Sequence, residues 1–166
     1  MTSIFGLQPE FDVGENETVY AALRYDNERR PLSDVIRESY FPGIDLIPGN
    51  LELMDFEFDT PAYLAQRERD ELGLFFERLK NAIASVEGEY DFVVLDTPPS
   101  LGYATLTALY AATGLIVTVH PAMLDVASCN QFLIMISDLA DTLAQFGARF
   151  DHDFLKFLMT RVNPND

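Results

Sequence analysis

Cysteine is nearly absent. Cys129 stands alone, so no disulfide can close within the chain, which fits a reducing cytoplasm. Basic residues are scarce too: 11 Lys and Arg face 27 Asp and Glu, for a formal charge of −16 at pH 7. Phosphate binding relies on Lys and Arg displacing counterions, so DNA or an anionic membrane is a poor partner for this chain alone. The cations that do occur cluster at Arg24, Arg29, Arg30 and Arg37, and again at Arg67, Arg69, Arg78 and Lys80. Acids interleave both groups, which reads as solvated faces. No apolar run approaches the ~20 residues of a membrane span. The opening MTSIFGLQPEFD has neither a basic n-region nor an apolar h-region, so no signal peptide is expected. His120 and His152 lie far apart, and no metal-binding spacing occurs.

What is present is enough for a core. A chain of 166 residues that is 48% apolar is expected to form one domain. Strand and helix patterns alternate along it. GIDLIPGN (43–50) reads as a short strand stopped by Pro48 and Gly49. Residues 60–88 read as a helix, with Thr60 as cap and Pro61 in the first turn. On it Leu72, Phe75, Phe76, Leu79, Ile83 and Val86 recur at 3.6-residue spacing, which predicts one buried face set against a sheet. A strand over 91–96, a helix near 103–112 and a strand at GLIVTVHP (114–121) follow. A long helix over 123–146 comes next, with Phe132, Ile136, Leu139, Leu143 and Phe146 on one side and Gly147 as its stop. FLKFLMTRVNP (154–164) reads as the last strand. The first 40 residues suggest short helices near 17–25 and 32–40. The strands are continuous apolar runs rather than alternating ones. That is the mark of an α/β fold: a three-layer parallel sheet with helices on both faces.

The most informative stretch is YDFVVLDTPPSLGYA, residues 90–104. Four apolar residues, Phe92 to Leu95, run into Asp96. Pro98 and Pro99 then lack the backbone donors a ladder needs. In an open parallel sheet, ligands bind at the carboxyl ends of strands, and a carboxylate fixed there suits a hydrated Mg²⁺ reached through water. The same aspartate could instead cap the following turn, and the pattern of four apolar residues and an acid does not separate the two readings.

The longer string does. YDFVVLDTPPSLG resembles the Walker B and switch II segment of ParA/MinD-type P-loop ATPases. IDLIPGNLEL, LIVTVHPAMLDVASCNQFL and FLMTRVNPND resemble successive segments of the same family, nearest its RepA-type, plasmid-partitioning branch. The resemblance implies a P-loop NTPase-like fold and a cytoplasmic ATPase that uses ATP and Mg²⁺. It assigns Asp96 to the metal and Thr97, Pro98 and Gly102 to the switch that senses the γ-phosphate. It places Asn163 near the adenine and His120 near a dimer face, where a hydrogen-bonded structural histidine is the expectation. It further implies a homodimer, a centromere-binding ParB/RepB-like partner, non-specific DNA binding by the complete dimer, and no membrane.

The chain also departs from that family. Its members carry a Gly-rich phosphate loop with two lysines, and no G-x-x-x-x-G-K-[ST] or K-G-G string occurs here. The only lysines, Lys80 and Lys156, stand near no glycine cluster. The chain therefore reads as the central portion, 1–166, of a partial ParA-type domain that begins after a second acidic motif and ends early. Such a portion is expected to be inactive alone. The alternative is a non-catalytic binding module that pairs with a full-length relative. A MinD-like membrane ATPase is a third reading, but the basic amphipathic helix of that group is not visible.

Overall fold

The computed structural model describes residues 2–66, 75–98, 100–145, 147 and 149–162. Helices and parallel strands place the chain in the α/β class. It divides into two compact units, residues 1–111 and 112–166.

The first unit is mainly helical. Its helices are α1 (Pro9–Asp12), α2 (Val19–Leu23), α3 (Leu53–Leu64), α4 (Glu77–Ala84) and α5 (Tyr103–Ala111). The short α2, VYAAL, is the common wall of two core clusters. Ala21 and Ala22 meet Leu32, Val35, Ala82 and Val86 on one side, while Tyr20 and Leu23 meet Phe56, Leu79 and Ala108 on the other. Paired alanines let the neighbouring elements approach closely, and the larger side chains fill the opposite side. Arg78 closes the end of α2. Its guanidinium donates to the carbonyls of Leu23 (3.2 Å) and Arg24 (2.8 Å), two of the acceptors a helix end leaves without intrahelical partners. It also lies 4.0 Å from the centroid of the Tyr25 ring. Burial lowers the Arg78 pKa, and the nearby Tyr25 works in the other direction.

The expected apolar face is present. Phe75, Phe76, Leu79 and Val86 are buried, and Ile83 is half-buried between the two clusters. Leu72 lies outside the described residues. This face packs on α2 and α5, not on a sheet as the pattern predicted. Periodicity reports that a face must be covered and does not say by what.

The helix boundaries also differ from expectation. α3 begins at Leu53, so Thr60 and Pro61 lie inside it rather than at a start. Fully buried Thr60 turns its hydroxyl back to the Phe56 carbonyl at 2.6 Å. That i−4 bond is an alternative to capping, and the burial of Phe56 on the same helix overrides the local start signal. The stretch 43–50 contributes only β2 (Asp45–Leu46), paired antiparallel with β1 (Arg37–Glu38). Pro42-Gly43, with Gly43 at φ +79°, reverses the chain so that its own preceding residues are the nearest edge.

The run ahead of Asp96 is the largest departure. Residues 91–96 form no strand, and no ladder partner for them exists among the described residues. Phe92 and Val94 are 87% and 85% exposed. A strand is defined by its neighbour's hydrogen bonds, and continuous apolarity signals only that cover is needed.

The second unit is a strand–helix–strand element. β3 (Gly114–Val119) and β4 (Phe154–Met159) pair in parallel, from Gly114↔Phe154 to Val119↔Met159. The Asp153 N–H donates to the Thr113 carbonyl (2.8 Å) and the Thr160 N–H to the Val119 carbonyl (2.9 Å), extending the pairing at both ends. Gly114 is required by space: a Cβ there would run into the Phe154 ring. Between the strands runs α6 (Met123–Ala144), followed by Gly147 at φ +79°. Phe132, Ile136 and Leu139 are half-buried on one face and Leu143 is buried, as the spacing predicts; Phe146 is outside the described residues. All six positions of β4 are exposed. By length and composition alone, α6 is long and apolar enough to cross a membrane, where the sequence reading expected no such run. Asp125, Asp138 and Asp141 interrupt it.

Candidate functional site

Asp96, Thr97 and Pro98 line one cleft of the first unit, with a volume of about 350 Å³. Its walls are mostly apolar, with Leu46 of β2, the following Ile47, and Phe92 to Leu95 among them. Among the described residues, Asp45 and Asp96 are its charged members and no Lys or Arg lines it. The Tyr90 hydroxyl donates to the Asp45 carboxylate at 2.8 Å, which raises the Tyr90 pKa. Asp96 is exposed, and among the described residues Asp96, Thr97 and Pro98 form no hydrogen bond. Among the described residues, Asp96 therefore makes no capping bond to the turn that follows it. Among the described residues, no group of three or more His, Cys, Asp or Glu side chains could hold a metal. A Mg²⁺ at Asp96 would need its other oxygens from water and a phosphate.

The other end of the segment is built differently. Gly102 immediately precedes α5 and meets the carboxylate of Glu57, which the sequence did not single out. The Glu57 oxygens accept the Tyr103 N–H (2.8 Å) and the Ala104 N–H (2.9 Å). Glu57 lies 45 positions upstream of Gly102, and no local pattern connects the two. Pro99 and Asn163 lie outside the described residues. His120 is exposed, and its carbonyl accepts the Ala122 N–H (2.8 Å); His152 stacks on Phe150, with ring centroids 5.9 Å apart.

The α/β fold, and the apolar run that ends in Asp96 ahead of Thr97 and Pro98, agree with the resemblance of the sequence to P-loop NTPases. Comparison with known proteins agrees. A family model described as an AAA domain matches residues 2–146. A putative replication protein A of Rhizobium rhizogenes is 50% identical over all 166 residues, which make up 41% of that protein. A ParA family protein of Chlamydia muridarum is 32% identical over 67% of this chain and 41% of its own length. Among solved structures, a Mycobacterium smegmatis cobyrinic acid a,c-diamide synthase with bound ADP and magnesium aligns over 94% of this chain and 54% of its own, with 28% identity and a TM-score of 0.67. A plasmid partition protein of Borrelia burgdorferi aligns over 99% of this chain and 63% of its own, with a TM-score of 0.70; at 20% identity it speaks to the fold alone. The chain belongs to the AAA-domain family whose model matches it, and within that family it is of ParA/MinD type. It spans about two fifths of the length of the curated relatives it matches.

Proposed function

We propose that these residues are the magnesium-bearing and switch-bearing part of a partition ATPase that acts on plasmid DNA in the cytoplasm. The observation that carries this reading is the position of Asp96, Thr97 and Pro98 on the cleft, with no hydrogen bond among the described residues. A hard carboxylate there can hold Mg²⁺ through water when a nucleotide supplies phosphate oxygens. ADP and magnesium in the aligned synthase support that pairing. The role of Gly102 in the switch, and of Asn163 near the base, belongs to the same proposal. The complete ATPase would work as a homodimer, bind DNA non-specifically through that dimer, and respond to a centromere-binding protein.

The phosphate half of the chemistry has no counterpart in these 166 residues. A loop of glycine N–H groups and a lysine within it normally cradle the β- and γ-phosphates; this sequence has no such loop, and neither Lys80 nor Lys156 stands near a glycine cluster. A net charge of −16 repels free nucleotide further. Calorimetric titration of Mg-ATP into the chain should therefore give no micromolar binding. When the chain is joined to a phosphate-loop segment from a close relative, hydrolysis should appear and Asp96→Ala should abolish it with the fold intact. Micromolar binding to the chain alone, or full turnover in that variant, would defeat the proposal.

The exposed β4 favours a second reading, in which the chain pairs with a full-length relative and regulates it without catalysis. Co-purification with such a relative, together with a change in its turnover when the chain is added, would favour that reading over the first.

A further inference from the structure

We propose that Glu57 is the positioning residue of the switch segment: through α3 it fixes the start of α5, and so the end of the chain 97–102 that does not face the cleft. This rests on reading that segment as a switch. Both oxygens of the half-buried carboxylate are used, one on Tyr103 N–H (2.8 Å) and one on Ala104 N–H (2.9 Å). These are the first two residues of α5, whose N–H groups have no intrahelical partner. A carboxylate there gains from charge-assisted bonds and from the helix dipole together. The contact also explains Gly102. A Cβ on that residue would fall on the carboxylate, so glycine is required for close approach.

The segment is thereby held unequally. At its far end Ser100 is fixed as well, its carbonyl accepting the Thr105 hydroxyl at 2.5 Å, while the Gly102 carbonyl accepts the Leu106 N–H at 3.0 Å. At its near end, Thr97 and Pro98 have no hydrogen bond among the described residues. The described contacts thus gather at the Ser100–Ala104 end, and Glu57 sets where that anchor stands. The anchor is itself braced. On α3, two residues from Glu57, Asp59 accepts the Tyr20 hydroxyl at 2.5 Å, and just before α3 Glu52 accepts the Thr18 hydroxyl at 3.0 Å. Support of this kind, a rigid element behind the contacting group, is what a precisely held loop requires.

The test is residue-resolved amide exchange and amide chemical shifts on the 166-residue chain without nucleotide, so its outcome does not depend on ATPase activity. In the unaltered chain, Tyr103 and Ala104 amides should exchange at least tenfold more slowly than the Thr97 amide. Glu57→Gln, which keeps the volume but removes the charge and one acceptor, should erase that protection and shift the Thr97, Ser100 and Leu101 resonances. Amides of α2 and α4 should stay unchanged. Glu57→Asp restores the charge but not the reach and should behave like the Gln variant; Gly102→Ala should reproduce the effect from the other side. Unprotected Tyr103 and Ala104 amides in the unaltered chain would overturn the proposal. So would Glu57→Gln raising exchange equally across α2, α4 and α5, because that would make Glu57 a contributor to general stability rather than to the switch.

Discussion

The two units use similar proportions of apolar sequence to different ends. In residues 1–111 the large side chains close on one another: Phe56 is fully buried, and Tyr20, Leu23, Phe75, Phe76 and Leu79 are nearly so. In residues 112–166, Leu143 is the buried hydrophobic among the described residues, and β4 exposes Phe154, Leu155, Phe157, Leu158 and Met159. The strand is nevertheless well formed, with a six-residue parallel register. Secondary structure and burial are therefore separable here. A ladder needs only one neighbour, whereas a core needs cover on every side.

That contrast can be broken by mutation. Phe56→Ala should cost about 3–5 kcal/mol, read by urea unfolding, because the ring is enclosed and also stacks on Tyr25 at 5.8 Å. Tyr20→Phe should cost about 1–2 kcal/mol through loss of the bond to the Asp59 carboxylate. Burial, and then that bond, raise the Tyr20 pKa, so its phenol should stay protonated beyond the pH at which free tyrosine ionises, as ultraviolet titration would show. Phe157→Thr in β4 should change stability by no more than about 0.5 kcal/mol while reducing light scattering on concentration. A loss as large as that of Phe56→Ala would mean that β4 is covered in solution.

The smallest effect expected is on pH dependence. The Gly14 N–H, followed by the Arg37 guanidinium, holds the Glu17 carboxyl below its ordinary range, and Arg24 does the same for Asp26. Carboxyls depressed in the folded state add stability above the unfolded-state pKa and lose it as pH falls through the folded one. Arg37→Gln should therefore flatten the acid limb of a stability–pH curve slightly, with no effect at neutral pH beyond that of a surface contact.

Elements specified by local chemistry were legible in the sequence. β3, α5 and α6 fall within about two residues of their expected bounds, since caps, periodicity and the Gly147 stop act over a few positions. The last strand was placed correctly but stops short, at Met159. Elements specified by distant partners were not legible. Thr60-Pro61 carries a sound start signal that the burial of Phe56 overrides, and the apolar Phe92–Leu95 run says nothing of a missing neighbour. The site divides the same way. Asp96 was proposed for its place after an apolar run and for the family resemblance, and the structure sets it on the cleft without the strand that the run suggested. Gly102 was singled out as part of the switch, yet the reason it must be glycine lies 45 positions away, in the carboxylate of Glu57.

The register of β3 on β4 has a consequence for how the second unit folds. Each paired residue meets one forty positions further along the chain, a long closure for a strand pair with little cover to reward it. α6 occupies 22 of the intervening residues. As a helix rising 1.5 Å per residue, it converts much of that floppy span into a rod about 33 Å long. Pairing of the strands should thus wait on the helix, so the helical propensity of α6 sets the rate at which the β3–β4 ladder assembles.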